Sequence, residues 1–237
     1  METIKIDHRK KYGIMLDTET ANTIVEDDGK LNMRFVLPYD IGFAVIDSKG
    51  NVYETFSFVN EDIFCDEYTL MQSAYYAEKI PDYVRDLARG KRTLATTYEI
   101  RKVLLDKIAE YGCEFICAHN ARFDVVACNN IQRWTTKSKY RYFFPRGVEI
   151  WDTLKMARSV IGKMPTYREF CEKNGYMTKH KTPQPQFTAE VLYRFISGEC
   201  DFVEEHKGIE DVLIEVEILK YCRKQHKPME YLLYEKK

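Results

Sequence analysis

The sequence lacks the features that define membrane, secreted and zinc-binding proteins. No apolar run approaches the ~20 residues that a membrane-spanning helix needs. The charged segment 1–11 has no apolar stretch typical of a signal peptide. The seven cysteines are scattered without any Cys-x-x-Cys pair, which argues against a structural zinc site. Their odd number and lack of a pairing framework indicate reduced thiols and a cytoplasmic location.

Excess charge of one sign is also missing. The chain carries 36 Lys and Arg against 37 Asp and Glu, a formal net charge of -1. It therefore has no global basic field, and any contact with nucleic acid would depend on a local patch or on metal ions. With 45% hydrophobic residues over 237 positions, the composition is that of a globular protein with a large core. We expect one domain over 1–237, with a helical insertion at about 61–96.

Two carboxylates stand at the end of the first predicted strand. The apolar run from Ile14 to Leu16 is typical of a buried strand, and Asp17 and Glu19 follow it. Because side chains two residues apart in a strand share a face, both acids would project from the same side. Adjacent carboxylates repel each other, and a bound Mg2+ or Mn2+ ion removes that cost. The alternative is a surface Asp-x-Glu at a strand end that binds nothing.

The order of the predicted elements indicates an α/β fold. Strands at 39–47 and 52–59 are joined by a Gly-Asn turn, so with the first strand they form a three-strand antiparallel meander. A helix at 98–111 separates this meander from a strand at 114–118, which indicates a parallel crossover, and another strand follows at 148–152. We expect a mixed five-stranded sheet, the meander plus two parallel strands, flanked by helices. The other helices are predicted near 68–78, 81–88, 120–134, 153–158, 167–173, 188–196 and 208–221.

Another acid follows the strand at 114–118. The segment His-Asn-Ala-Arg-Phe-Asp at 119–124 precedes apolar residues at helical spacing, which predicts a helix with Asn120 as its N-cap. Asp124 would lie about one turn inside this helix, beside the end of the strand. The alternative role for Asp124 is compensation of the helix dipole in the first turn.

The last clear helix has a histidine and an acid near its start. His206 and Asp211 are five residues apart, and the helix at 208–221 shows one apolar stripe. Standing alone, His206 would be an ordinary loop histidine. Two further acids are kept out of the candidate ligand set. Asp152 fits a helix cap, and Glu215, one turn after Asp211, fits either a supporting role beside the ligands or a solvated position.

Taken in chain order, these segments resemble the DEDDh branch of the DnaQ-like 3'-to-5' exonucleases, which have a ribonuclease H-like fold. The segment Asp-Thr-Glu-Thr at 17–20 is similar to their first motif, and the segment 119–124 is similar to their second. His206 and Asp211, separated by four residues, are similar to the third. The sequence departs from the family at 21–22, where Ala-Asn replaces a frequent Thr-Gly, and at 208, where Gly replaces a frequent Ala. Neither departure removes a ligand.

The resemblance implies a hydrolytic site with two divalent ions that hold the scissile phosphate, Mg2+ with Mn2+ able to substitute. His206 would act as the catalytic base that takes the proton of the attacking water. The resemblance also implies that the substrate is the 3' end of single-stranded nucleic acid, with DNA favoured and RNA possible. A polymerase or a replication or repair protein is a candidate partner. The implied metal ligands are Asp17, Glu19, Asp124 and Asp211, and the implied substrate contacts are Thr18, Thr20, Asn120 and Phe123.

The sequence leaves two questions open, the role of one segment and the function of the whole chain. The segment 135–146 interleaves basic and aromatic residues, which suits phosphate contacts and base stacking on a single strand. The same rings could instead pack on the core between a helix and a strand. For the whole chain there are two alternatives to an exonuclease. One is a non-catalytic nucleic-acid-binding module, or a polymerase-associated subunit, of the same fold. The other is an unrelated α/β protein whose acids coincide by chance.

Overall fold

A six-stranded mixed sheet forms the centre of the computed structural model, which describes residues 6–22, 24–27, 29, 31–72, 74, 76–137 and 141–234. In space the strands follow the order β4-β3-β2-β1-β5-β6. Strands β1, β2 and β3 form the predicted antiparallel meander, and β5 and β6 continue the sheet in parallel with β1. The strands are β1 (Tyr12–Ala21), β2 (Leu37–Asp47), β3 (Val52–Asn60), β4 (Thr93–Ala95), β5 (Phe115–Ala118) and β6 (Glu149–Asp152).

One strand was not predicted. The three residues of β4 pair in parallel with the end of β3, at the edge of the sheet. A strand this short shows no alternation that a sequence pattern could reveal. The segment predicted as a helical insertion at about 61–96 therefore contributes to the central sheet as well as to its helical cover.

Helices cover both faces of the sheet, and most begin within two residues of the predicted positions. The predicted helix at 68–78 begins at the predicted residue but is too long, because the helix there ends at Gln72 and a short 3-10 turn at Ala77–Lys79 precedes the next one. That next helix has a proline in its first turn, a position that proline favours. The helices are α1 (Glu61–Phe64), α2 (Tyr68–Gln72), α3 (Ile80–Ala88), α4 (Thr97–Tyr111), α5 (Arg122–Thr135), α6 (Thr153–Val160), α7 (Pro165–Asn174), α8 (Ala189–Ser197) and α9 (Gly208–Lys224).

The two faces of β1 belong to two separate apolar clusters. Ile14 and Leu16 pack with residues of α4 and α5 on one face. Met15, between them, packs on the other face with α6 to α9. Because side chains alternate along a strand, every residue of β1 can be assigned to the α5 face or to the α9 face. This alternation decides where the polar residues at the end of β1 point.

The segment after α9 pairs with the outer edge of β6. Asp152 N donates a hydrogen bond to Tyr231 O at 2.7 Å, and Leu233 N donates to Ile150 O at 2.8 Å. These bonds cover a strand edge that would otherwise present unpaired backbone groups. No helix among the described residues is long and apolar enough to cross a membrane. All seven cysteines lie in the described part of the chain, and all are free thiols.

Candidate active site

The two acids of β1 lie in the second half of this central strand, toward its end, and face α9; the strand continues two residues past Glu19. Met15 packs among apolar residues that include Val212 and Val216 of that helix. Since alternate residues share a face, Asp17 and Glu19 point toward the same helix. Both are partly buried. A register shift directly after Glu19 interrupts the pairing of β1 with β2, a feature that commonly re-aims side chains at strand ends.

Asp124 reaches the same strand end from the α5 face. It lies in the first turn of α5 and is 3% exposed. Thr18, between the two acids of β1, points to this face, and its Oγ1 donates a hydrogen bond to Asp124 Oδ1 at 2.8 Å. The bond ties Asp124 to β1. The hydroxyl that the resemblance assigned to substrate is therefore engaged in positioning an acid.

Asp211 is fixed at the start of α9 by backbone contacts. Lys207 N donates a hydrogen bond to Asp211 Oδ2 at 2.9 Å, whereas Asp211 Oδ1 is buried without a partner among the described residues. Gly208 begins the helix against Gly42 of β2, where a Cβ added to Gly208 would lie 2.7 Å from Gly42 N. The glycine, at a position where the resembled family often has alanine, lets α9 approach the sheet this closely.

A buried ion pair holds the same end of α9. Asp40 of β2 is fully buried and accepts hydrogen bonds from Gly208 N at 3.0 Å and from the Tyr83 hydroxyl at 2.7 Å. Arg92, whose side chain is 1% exposed, donates to Asp40 Oδ2 at 2.9 Å and to Glu210 Oε2 at 2.6 Å. The segment between β3 and α4 thus supplies two groups, the Tyr83 hydroxyl and the Arg92 guanidinium, that keep α9 over the acids.

His206 lies just before α9, beside the acids. Its φ of 50° is uncommon for a residue with a side chain, and such strain clusters at functional sites. The ring stacks on Tyr76 with centroids 4.5 Å apart. One ring nitrogen and one carboxylate oxygen from each of Glu19 and Asp211 lie within 4.8 Å of one another. Burial and the nearby charge of Lys79 lower the histidine pKa, so the ring is neutral near pH 7 and can accept a proton.

Burial raises the pKa values of the acids at this site, and for Asp17 and Glu19 the charges of neighbouring site acids add to the effect. Burial raises the pKa of Glu19 to about 9, and the charge of Asp211 is the next largest cause of the rise. Burial also raises the pKa of Asp211 to about 8 and that of Asp124 to about 7. The pKa of Asp17 is raised by burial and by the charges of the acids around it, Glu215 foremost. Such a cluster is under electrostatic repulsion that a bound cation would relieve.

The donor set fits a hard divalent cation. All four predicted ligands offer carboxylate oxygens, which Mg2+ and Mn2+ prefer. Two carboxylate oxygens, Asp211 Oδ1 and Glu215 Oε2, are buried without a hydrogen-bond partner among the described residues. Leaving a buried polar atom unpaired costs free energy, and coordination of an ion would offset that cost. The residues at the end of β1 could therefore hold divalent ions.

A cleft of about 320 Å³ opens beside the acids. Thr18, Glu19 and Thr20 of β1 form one side of it, and the rings of Phe123 and Tyr76 contribute to its lining. Three of the four predicted substrate contacts therefore lie at the cleft. Aromatic rings beside a phosphodiester-binding site suit the stacking of a terminal base.

The fourth predicted contact, Asn120, is not brought into this cleft. It is exposed, with a φ of 62°, and its backbone N donates to Asp152 Oδ1 at 3.1 Å. The prediction of Asn120 as the N-cap is wrong, because the left-handed turn moves the cap position of α5 to Ala121. Asp152 is confirmed as a helix cap, since its Oδ1 accepts a hydrogen bond from Leu154 N at 2.9 Å.

Three residues around the site had no motif to reveal them. Glu215 is 2% exposed, so the solvated position considered for it is excluded. Its spacing of four residues from Asp211, on an otherwise apolar stripe, was the available signal. Asp40 and Tyr76 gave no comparable signal, because their roles come from tertiary contacts with α9 and with His206.

The segment 135–146 is divided between core and surface. Phe143 and Phe144 are buried in the cluster on the α5 face, which supports the packing alternative for those two rings. Arg141 and Tyr142 are exposed. Residues 138–140, which include two of the predicted basic and aromatic side chains, lie outside the described residues.

Comparisons with known proteins identify the fold through solved structures. No family model matches the sequence, and no curated protein matches it. The structure of E. coli exonuclease I in complex with a 5cy-dT13 oligonucleotide is similar with a TM-score of 0.56 at 16% identity, covering 92% of this chain and 41% of that chain. The complex of the same enzyme with a dT13 oligonucleotide has a TM-score of 0.52 at 17% identity, covering 90% of this chain and 41% of that chain.

A third structure of E. coli exonuclease I, described as suggesting how processivity is achieved, has a TM-score of 0.53 at 15% identity, covering 91% of this chain and 41% of that chain. The chain therefore spans about two fifths of the length of the structures it resembles. The likeness shows the fold. The predicted α/β, ribonuclease H-like class is confirmed, with six strands in place of five.

Proposed function

We propose that this chain is a metal-dependent 3'-to-5' exonuclease of the DEDDh type, in the DnaQ-like superfamily. It would hydrolyse phosphodiester bonds of nucleic acid and release nucleoside 5'-monophosphates. The observation that carries the proposal is the convergence of acids from β1, α5 and α9. Thr18, next to Asp17 on β1, is hydrogen-bonded to Asp124 of α5, and donor atoms of Glu19 and Asp211 lie within 4.8 Å of each other. Glu19 and His206 belong to the same place. A coincidental set of acids has no reason to meet beside a histidine and a cleft.

Each polar group has a role in this proposal. Asp17, Glu19, Asp124 and Asp211 would hold two Mg2+ ions, for which Mn2+ can substitute. When bound, these ions neutralise charge on the scissile phosphate and on the leaving 3'-oxygen. His206, neutral near pH 7, accepts the proton of the attacking water at a ring nitrogen.

Single-stranded DNA is the substrate that the comparisons favour. The similar structures of E. coli exonuclease I contain dT13 oligonucleotides. The cleft beside the acids is lined by Phe123 and Tyr76, whose rings can stack on a terminal base of either nucleic acid. We propose that the chain acts as one exonuclease domain in which the segment at about 61–96 forms part of the cleft wall. A polymerase or a replication or repair protein remains a candidate partner.

A degradation panel tests this function. Single- and double-stranded DNA and RNA oligonucleotides, labelled at the 5' end, are incubated with the protein and Mg2+, Mn2+ or EDTA. We expect ladders that shorten from the 3' end and the release of nucleoside 5'-monophosphates with either metal, and no change in EDTA. Binding of an oligonucleotide without degradation under any condition would replace this function with that of a non-catalytic binding module.

A further inference from the structure

Glu215 is a carboxylate buried without a cation. It lies in the middle of α9, one turn after Asp211 and on the same side of the helix. The residue is 2% exposed, and no ion pair involves it in the described part of the chain. Its carboxylate accepts a hydrogen bond from the backbone of His119, at the end of β5. Oε2, in contrast, is buried and has no partner among the described residues.

The charged neighbours of Glu215 are other acids. Of the charges that raise the pKa of Asp17, that of Glu215 has the largest effect. The charges that act most strongly on Glu215 are those of Asp124 and Asp211. Packing alone does not explain an acid here, because glutamine or leucine would fill the same space without a buried charge. A charged carboxylate buried without a partner typically costs several kcal/mol, and a bound divalent ion would offset that cost.

We propose that Glu215 is a fifth carboxylate of the cation site, which would offer its buried, unpaired Oε2 to a divalent ion. This inference rests on the proposed function, since it uses the same divalent ions. It adds a ligand that none of the three exonuclease-like motifs contains. In this arrangement α9 supplies two buried carboxylates four residues apart, Asp211 and Glu215.

Mn2+ binding in the absence of nucleic acid tests the proposal. Isothermal titration calorimetry compares the wild-type chain with Glu215→Gln, which keeps the size of the side chain and removes its charge. We expect the Mn2+ affinity to fall by at least about tenfold, as for metal-site substitutions in general. Glu215→Asp, which keeps the charge on a shorter side chain, should retain part of the affinity. Glu217→Gln is the matched control, because Glu217 is on the same helix with its side chain 43% exposed, and it should bind Mn2+ as the wild type does.

Thermal unfolding distinguishes a ligand from a purely structural residue. Without metal, Glu215→Gln should unfold at the same temperature as the wild type or higher, since a buried charge is gone. With Mn2+, its rise in unfolding temperature should be smaller than that of the wild type. A lower unfolding temperature without metal, combined with an unchanged Mn2+ affinity, would overturn the proposal. So would a wild-type chain that binds no Mn2+.

The outcome is separable from the test of the exonuclease function. If Glu215→Gln weakens Mn2+ binding while the wild type degrades no oligonucleotide, the fifth carboxylate stands and the exonuclease proposal fails. If the wild type degrades oligonucleotides and Glu215→Gln binds Mn2+ unchanged, the exonuclease proposal stands and the role of Glu215 is rejected.

Discussion

Gly208→Ala should disturb the site through the backbone, without replacing any of the predicted metal ligands. The added Cβ would lie 2.7 Å from Gly42 N and 3.2 Å from Asp40 Oδ1. An ordinary contact is about 3.5 Å or longer, so the start of α9 must move outward by roughly 0.8 Å. Overpacking of this kind costs about 1–3 kcal/mol, against a gain of up to about 1 kcal/mol from replacing glycine in a helix. We expect a net loss of unfolding free energy of about 1–2 kcal/mol.

The effect on activity should exceed the effect on stability. Asp211 lies three residues after Gly208, the first residue of α9, so it moves with the helix start. A displacement near 1 Å at a reacting site can lower the rate about 100-fold. Urea denaturation and single-turnover degradation of a 5'-labelled oligonucleotide measure the two effects. Leu213→Ala, on the exposed face of the same helix, is the control and should change neither. A Gly208→Ala chain with wild-type stability and a rate within twofold of wild type would refute this account of the contact.

Three other predictions follow from the same contacts. Arg92→Met should lower the unfolding free energy by about 3–5 kcal/mol in urea denaturation, because Asp40 is left buried and unpaired; adding Asp40→Asn should recover part of it. His206→Ala should lower the degradation rate about 100-fold or more while calorimetry shows little change in Mn2+ affinity; loss of Mn2+ binding would make the histidine a ligand. In EDTA, the unfolding temperature should fall as pH rises from about 4 to 9. Because the pKa values of Glu19 and Asp211 are raised, the folded chain keeps protons that the unfolded chain has released, so the stability that these two groups contribute is full below about pH 4 and lost above about pH 9. Mn2+ should reverse the fall in unfolding temperature. A flat profile in EDTA would contradict the prediction.

The strands and most helices could be predicted because their patterns are local. The alternation in 52–59, the Gly-Asn turn before it and the apolar stripe of α9 each lie within one stretch of chain. The site acids could be proposed for a related reason, since each follows a strand or starts a helix in a recognisable order. Their convergence could not be derived from spacing alone, because it depends on how α5 and α9 pack on opposite faces of β1.

The features that sequence reasoning missed depend on contacts between distant segments. β4 is too short to show a period, and its pairing with β3 is what defines it. Gly208 was seen only as a departure from a family pattern, whereas its contact with Gly42 gives it a physical reason. Glu215 was left open between two roles because burial of an acid cannot be read from a helical stripe.

The most direct test of the proposed site is the activity of Asp17→Asn. This substitution keeps the shape of the side chain and removes an acid whose pKa is raised by the charges of Glu19, Asp124, Asp211 and Glu215. With Mg2+ or Mn2+, we expect degradation of a 5'-labelled oligonucleotide to fall to background while circular dichroism and the unfolding temperature show an intact fold. Degradation at the wild-type rate by Asp17→Asn would contradict the account, because the phosphodiester bond would then be cleaved elsewhere.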